Sequence, residues 1–427
     1  MISNIHENGP LVKDINRILL PKIEEITFPN GISLACLTSG TQEVMKLEFI
    51  FPAGRIIEDQ KLTAKACAEL IKEGAAGQNA FQIAEKLDFY GANLRSRANM
   101  DSISISFFCL CKHFEKLLPL LSDIFFKPAF LNEELKKYTS KHIERLKEDL
   151  AKNEILAYRS ITEQIFTKDH PYGYNSSPED YQNLQIEHLK AHFSKYLLDQ
   201  SFQIILSGKI NDQIINQLSK YFGNHTISKK HMLVDIPKVP AYKPSNLIIK
   251  GENDLQSAIC IGRKLFNRKH PDFGALYVLN TILGGYFGSR LMTNLREDKG
   301  YTYNIYSMLD TLKYDGCFYV SSEVGTAFTE KAVSEIFFEF DQLIQNKIPE
   351  KELRVVKNYL KGSILRFLDG PFNQHDMVKT LKLNGLSFNY LTNLISLIEK
   401  IDAAELQRVA SRYLQKEDMS CTIVGPK

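Results

Sequence analysis

A chain of 427 residues is long enough, at about 100 to 200 residues per domain, for more than one hydrophobic core, which excludes a small scaffold held by disulfides or metals. Hydrophobic residues at 44% and charged residues at 24% sit near the globular average and exclude a disordered or collagen-like chain. Lys+Arg 53 against Asp+Glu 50 leaves a formal charge of +3, too small a surplus to recruit nucleic acid through bulk charge.

The opening run MISNIHENGPLVKDINRILL has no basic segment followed by an apolar one, and no later stretch approaches a membrane span. A cytoplasmic protein with no membrane partner is expected. Apolar alternation predicts strands over 32–37 and 44–51, helices around 61–73 and 81–89, and a strand over 102–111 in which Ile and Phe alternate with Ser. Amphipathic periodicity predicts long helices across 114–197, and 202–206 closes this half as a strand. The stretch 228–244, with Pro237, Pro240 and Pro244, reads as an extended connector. Beyond it, strands over 247–250 and 258–262, helices from 271, strands over 303–309 and 316–321, helices from 329 and a strand over 420–424 repeat the order.

The repeat shows in residues as well as in element order. HLKAHFSKYLLDQSFQIILSGK and ELQRVASRYLQKEDMSCTIVGPK align so that Tyr196 meets Tyr413 and Gly208 meets Gly425, both at an offset of 217. Leu135 meets Leu353 at 218. Similarity at nearly one offset marks duplication. The expected fold class is α+β with two similar α/β lobes: an N-terminal lobe over 1–227, the connector 228–244 and a C-terminal lobe over 245–427. Lobes so joined are expected to face each other across a cleft, a favoured place for ligands.

The seven cysteines are odd in number and scattered, which reads as reduced thiols. Cys109 and Cys111, two apart on the predicted strand, share a face and read as buried packing. His188 and His192 have the i, i+4 spacing of a metal pair, but Leu189 and Lys190 fill the interval and a solvated helix face is expected. Asp169-His-Pro-Tyr-Gly173 reads as a turn.

The most informative run is 279–307. An apolar helix ends at Gly284-Gly285, a second begins near Ser289, and Gly300 ends it before a strand. The spacing is neither a Walker loop nor G-x-G-x-x-G, so nucleotide binding is not expected. Within this run, Leu283-Gly-Gly-x-Phe-x-Ser-Arg-Leu291 and Leu295-Arg-Glu-x-x-Gly-x-x-Tyr303-x-x-x-Ser307 resemble a signature of the insulinase/pitrilysin family of zinc metallopeptidases. That family includes mitochondrial processing peptidase and the core subunits of respiratory complex III. The resemblance spans nearly the whole chain and implies two lobes, each a mostly antiparallel sheet against a layer of helices. It also implies that Arg296 and Tyr303 bind the scissile carbonyl region of a peptide opposite a zinc ion. A guanidinium and a phenol suit that role, because both donate to an oxygen that gains negative charge during hydrolysis.

The family's zinc motif, H-x-x-E-H on a helix, gives two histidines to one metal and a Glu that activates water. Counting back from Lys72-Glu73-Gly74 places Lys65 and Glu69 at the histidine positions and Ala68 at the glutamate. A protonated lysine is a poor ligand, and alanine takes no proton from water. The family's third ligand, a Glu about 75 residues further on, falls at Arg145, with Glu144 beside it. No metal or other cofactor is therefore expected in this chain. The run 90–96 and the strand after it resemble the family's substrate-lining edge strand, where peptides add through main-chain bonds. Arg95 and Ser96 stand there in place of the usual Asn and Ala.

In this family a degenerate chain pairs with a metal-bearing subunit. The resemblance thus implies a non-catalytic, substrate-binding subunit of a heterodimeric zinc metallopeptidase, inactive alone, with peptide substrates and a zinc-bearing partner subunit of the same family. Zinc itself is expected in that partner. Two other readings stand beside this one: an architectural docking homologue like the complex III core subunits, and a self-sufficient peptidase whose metal site uses Glu69, Glu144 and a cysteine or histidine. The sequence leaves open whether the isolated chain forms a homodimer.

Overall fold

The structure is a computed structural model and describes residues 18–227, 236–239 and 241–426. In chain order the first half carries β1 (Glu24–Thr27), β2 (Ser33–Thr38), β3 (Val44–Phe51), the two-residue strands β4 (Gly74–Ala75) and β5 (Gln78–Asn79), β6 (Asn93–Ala98), β7 (Ile103–Leu110) and β8 (Gln203–Gly208). The second half carries β9 (Asn246–Lys250), β10 (Gln256–Leu265), β11 (Ile305–Thr311), β12 (Gly316–Gly325) and β13 (Ser420–Gly425). The two main sheets run β1-β2-β8-β3-β7-β6 and β11-β12-β10-β13-β9.

Taken from its other edge, the second sheet repeats five of the six strands of the first, with β9, β13, β10, β12 and β11 matching β2, β8, β3, β7 and β6 and β1 without a counterpart. The parallel pair falls in the same place in each, β2 beside β8 and β9 beside β13, while the other neighbours are antiparallel. The glycines related by the offset of 217 close equivalent strands. A Cβ on Gly208 would collide with the Val44 carbonyl of β3, and one on Gly425 with Ser257 of β10, so the closing strand passes its neighbour only without a side chain.

The two lobes interlock. Helix Asn153–Phe166 from the first half packs on β10 and β13, and helix Gly370–Leu383 from the second packs on β2 and β8. Ala35, Leu37, Ile50 and Ile205 consequently belong to the core of the second half, while Ala258, Cys260, Tyr319 and Val424 belong to that of the first. On its other face β3 meets an aromatic cluster, with the Phe49 ring 4.7 Å from Phe222 and 5.0 Å from Phe125.

A strand covered on both faces reads as a continuous apolar run, and β3 is buried from Met45 to Phe51. Two charges interrupt it, and the opposite lobe answers both. Lys46 Nζ lies 2.5 Å from Asp376. The Glu48 carboxylate accepts from His375 Nε2 at 3.0 Å and from Lys379 Nζ at 2.5 Å. The Ser207 hydroxyl completes the cluster by donating to His375 Nδ1 at 2.8 Å. Buried charges persist only when paired in this way.

Several elements differ from expectation. The helical region 114–197 is divided into Phe114–Phe126, Asn132–Leu150, Asn153–Phe166, Pro178–Gln182 and Ile186–His192, followed by a π-helical segment at Phe193–Leu198. Strand β1 and helix Asp212–Phe222 are added to the expected elements; the helix is amphipathic, with Ile214, Leu218 and Phe222 buried and Asn211 as its N-cap. β7 stops at Leu110 because Cys111 opens a short 3-10 turn, so Cys109 and Cys111 do not share a strand face. β11 starts at Ile305, not 303. The Thr302 hydroxyl donates to the Glu323 carbonyl at 2.6 Å and accepts from the Asn304 N–H at 3.1 Å, which holds that segment out of the ladder. Of the predicted connector, 228–235 and 240 lie outside the described residues, and 236–239 and 241–244 carry neither helix nor strand. None of the described helices is long and apolar enough to cross a membrane.

Candidate functional site

Helix Thr63–Leu70 carries the degenerate motif. Its first turn presents main-chain N–H groups without partners of their own. The Glu58 carboxylate accepts from Leu62 N–H at 3.1 Å and Ala64 N–H at 3.0 Å, and the Tyr174 hydroxyl also donates to it. Burial pushes the Glu58 carboxyl up, against those hydrogen bonds. The Arg55 guanidinium lies over the Tyr174 ring, 3.3 Å from its centroid. Tyr174 follows the turn 169–173, whose His170 Nε2 donates to the Pro237 carbonyl at 2.9 Å. That turn is thus a brace between the motif helix and the connector.

Along the helix, Ala68 is completely buried, so the position that the counting assigns to the water-activating glutamate holds a methyl group packed in the core. Lys65 Nζ lies 3.3 Å from the Tyr181 hydroxyl. Glu69 Oε2 lies 3.0 Å from His142 Nε2, and the His142 ring stacks on Tyr181 at 5.7 Å and 3°. Burial raises the Glu69 carboxyl, but the hydrogen bond and charge of His142, with Lys65 and Lys141, outweigh it and hold the group below the usual range.

The residue opposite Glu69 is therefore His142, and not Arg145 as the counting suggested. Arg145 is 71% exposed and faces Asp149 on its own helix. Glu144 is 70% exposed and pairs with Lys147 at 2.8 Å, so it does not join Glu69 in a metal site. The cause is helical geometry: Asn132–Leu150 buries Leu135, Tyr138, His142 and Leu146, a stripe spaced by three or four residues that excludes 144 and 145. Zinc needs several free N, O or S donors converging on one point. Here there are an ammonium, a methyl and a Glu–His pair that satisfy each other, which does not fit. Among the described residues no group of three or more His, Cys, Asp or Glu is gathered for a metal.

Between this helix, Asn132–Leu150 and β6 lies a cavity of about 670 Å³. β6 pairs with β7 alone and is the free edge of the first sheet. The edge strand is thus 93–98, and the expected strand over 102–108 forms the second position as β7. Arg95 and Arg97 are exposed on one face of β6, while Leu94 and Ser96 are buried on the other.

In the second half the motif 283–307 divides into residues that pack and residues that do not. A Cβ on Gly284 would collide with the Ser307 main chain, so this glycine lets helix Phe273–Gly284 lie against β11. The Ser307 hydroxyl donates to the Asn280 carbonyl at 3.1 Å. Arg290 makes a two-pronged bond to Glu352, both arms 2.9 Å, and Leu291 and Leu295 are fully buried. Gly300 takes φ +62°, the left-handed cap that lets Tyr301 N–H reach the Leu295 carbonyl at 2.9 Å. Arg296 has no hydrogen bond or ion pair among the described residues, and its guanidinium sits over Phe287 at 4.8 Å. Tyr303 is 89% exposed and lies just before β11, outside the strand. Neither residue lines the cavity beside Glu69, so the structure does not bring the pair to the degenerate motif.

The remaining candidates have local explanations. His188 Nδ1 accepts from Gln185 N–H at 3.2 Å. His192 is buried, not on a solvated face, with Nε2 3.0 Å from the Ala53 carbonyl, and burial pushes its imidazole down to about 4. Burial pushes the Cys109 thiol up to about 12.

Two duplicated lobes, a helix in the position of a zinc motif but without its ligands, and a free strand edge beside it define a degenerate metallopeptidase scaffold. Two family models match the chain: insulinase (peptidase family M16) over 37–170 and the peptidase M16 inactive domain over 183–360. The chain belongs to the insulinase family. It is 26% identical over 412 residues to the uncharacterized zinc protease YmxG of Bacillus subtilis, covering 95% of this chain and 98% of that protein. It is 22% identical over 386 residues to the non-peptidase homolog YmxG of Helicobacter pylori, covering 85% and 84%. The crystal structure of a peptidase M16 inactive domain from Pseudomonas fluorescens shares the fold, with a TM-score of 0.86 at 21% identity over 95% of this chain and 98% of that one.

Proposed function

We propose that this chain is the non-catalytic, substrate-binding subunit of a heterodimeric zinc metallopeptidase, and that Arg296 and Tyr303 complete the active-site cleft of a zinc-bearing partner subunit. One observation carries the reading. The glycines, Arg290, the leucines and Ser307 of the motif are occupied in packing, whereas Arg296 and Tyr303 have no hydrogen-bond partner among the described residues and Tyr303 is exposed. A guanidinium and a phenol so placed donate to a scissile carbonyl as its oxygen becomes negative, a contact stronger in the transition state than in the ground state. The partner supplies the metal and the water-activating carboxylate. This chain, with Ala68 and Lys65 at the corresponding positions, does not hydrolyse peptides alone. Relatives named as a non-peptidase homolog and a probable inactive metalloprotease support that assignment.

The test is turnover by a complex reconstituted with a zinc-bearing family subunit. Arg296→Ala is expected to lower it by about 10² to 10³, the effect of removing one well-placed donor, with the complex still formed. A variant complex that cleaves as fast as the wild type would refute the role.

A further inference from the structure

A different cavity lies behind the helix that joins the lobes. Helix Gly370–Leu383 turns His375 and Lys379 onto Glu48 of the first lobe. Met377 and Leu381 follow each of them by two residues, which places them on the opposite side of the helix, where they line a cavity of about 290 Å³. Helices Phe273–Gly284, Glu350–Phe367 and Phe388–Lys400 supply the facing walls. The lining is mostly hydrocarbon and includes Phe273, Tyr277, Ile364, Leu386 and Leu391.

The polar groups of this lining divide into those that are satisfied and those that are not. Asp376 is met by Lys46 at 2.5 Å, and the Thr380 hydroxyl donates to the Asp376 carbonyl at 2.9 Å. Arg268 donates through Nε to the Thr311 hydroxyl at 2.9 Å and holds its guanidinium 5.5 Å from the centre of the Phe273 ring, but no carboxylate pairs with it among the described residues. The Tyr390 hydroxyl is buried and finds no acceptor for its proton among them. Burial pushes the phenols of Tyr277 and Tyr390 up, and the Arg268 charge acts against it in both. A second cation is close by: Lys269 Nζ lies 3.2 Å from the point that a Cβ on Gly385 would occupy, next to Leu386 of the lining, and it has no carboxylate partner among the described residues.

An apolar cavity with a few donors at one place is the pattern of a small-molecule site. When one of those donors is a guanidinium without a counter-charge, the group it selects is an anion. We infer that this cavity binds a small amphiphilic monocarboxylate, with its chain among the apolar side chains and its carboxylate on the Arg268 guanidinium and the Tyr390 hydroxyl. At about 30 Å³ per non-hydrogen atom, the share of one water in the liquid, the volume holds roughly ten such atoms, the size of an eight-carbon fatty acid. A peptide segment suits the cavity less, because its main-chain N–H and C=O groups would lie against hydrocarbon without partners. Neither Arg296 nor Tyr303 lines the cavity, so the inference is independent of pairing with a zinc-bearing subunit.

The experiment is isothermal titration calorimetry of the full chain with octanoate, octylamine, octanol and butanoate. Octanoate should bind at one site per chain with a Kd of about 0.1 mM, within the efficiency open to a ligand of this size. Octylamine and octanol should bind about tenfold or more weakly, because the charge-assisted bonds of the carboxylate are lost. Butanoate should bind about a hundredfold more weakly, at roughly three- to fourfold per missing methylene. Arg268→Met keeps an apolar stem and should weaken octanoate about tenfold or more while leaving octanol unchanged, a difference that general damage to the fold would not produce. Leu386→Trp fills the cavity and should remove the binding of both, and Arg268→Met decides the matter if that variant does not fold. Absence of saturable octanoate binding, several molecules bound per chain, octylamine binding as tightly, or unchanged octanoate affinity in Arg268→Met would overturn the inference. So would equal competition by a tripeptide ending in leucine with a free carboxylate, which would make the occupant a peptide end.

Discussion

Glu48→Gln isolates the cluster that joins the lobes. Glu48 and His375 are essentially inaccessible to solvent. Burial alone would raise the Glu48 carboxyl, but the His375 hydrogen bond and the charge and hydrogen bond of Lys379 outweigh it and hold the group at about 2, against an ordinary 4.5. Each tenfold change in proton affinity is worth about 1.4 kcal/mol, so the carboxylate contributes about 3 kcal/mol when ionised. The sign follows from the lowered value: the folded state takes up the proton less readily than the unfolded chain. The contribution is complete above pH 4.5 and disappears as pH falls from there towards 2. The amide in Glu48→Gln keeps the shape but leaves Lys379 without its buried counter-charge, and breaking one partner of a buried pair costs about 3 to 5 kcal/mol. Urea unfolding at neutral pH should show that loss, and repetition at descending pH should show the variant approaching the wild type below pH 4.5. A loss under about 1 kcal/mol, or a variant that keeps the wild-type acid dependence, would show that the cluster does not hold the lobes together as described.

Two further outcomes follow from the same reasoning. Glu58→Ala removes the acceptor from the first turn of Thr63–Leu70 and leaves the Tyr174 hydroxyl without its partner, so thermal or denaturant unfolding should register a loss of about 1 to 3 kcal/mol. Of the seven cysteines, six are buried and Cys111 alone is partly exposed. A thiol reagent at mildly alkaline pH should label Cys111 in the folded protein and reach the others only on unfolding.

Much of the architecture was legible because period and punctuation agree with it. Val44–Phe51 is a strand at the bounds read from its apolar run, and the glycines at 208 and 425 mark equivalent strand ends in the two lobes. Other elements carried weaker signals. β1 is four residues long and exposed at all but Ile26, so it has no apolar alternation. β6 reads NLRSRA, in which only Leu94 is strongly apolar. The partners of Lys46 and Glu48 come from a helix more than three hundred residues away, a distance that no local pattern spans. His142 is the instructive case. Counting a fixed interval from the motif selected Arg145, but the stripe Leu135, Tyr138, His142 and Leu146 is present in the sequence at helical spacing and marks which residue turns inward. For Tyr303 the sequence supplied the motif, and only the structure shows that the side chain is exposed and not packed.

The most direct measurement is peptide cleavage by the purified chain with zinc, alone and beside a zinc-bearing subunit of the family. With zinc in excess the chain alone should produce no cleavage. The mixture should cleave faster than the zinc-bearing subunit by itself. Chelator-sensitive hydrolysis by the solitary chain, or a mixture no faster than the zinc-bearing subunit alone, would contradict the account.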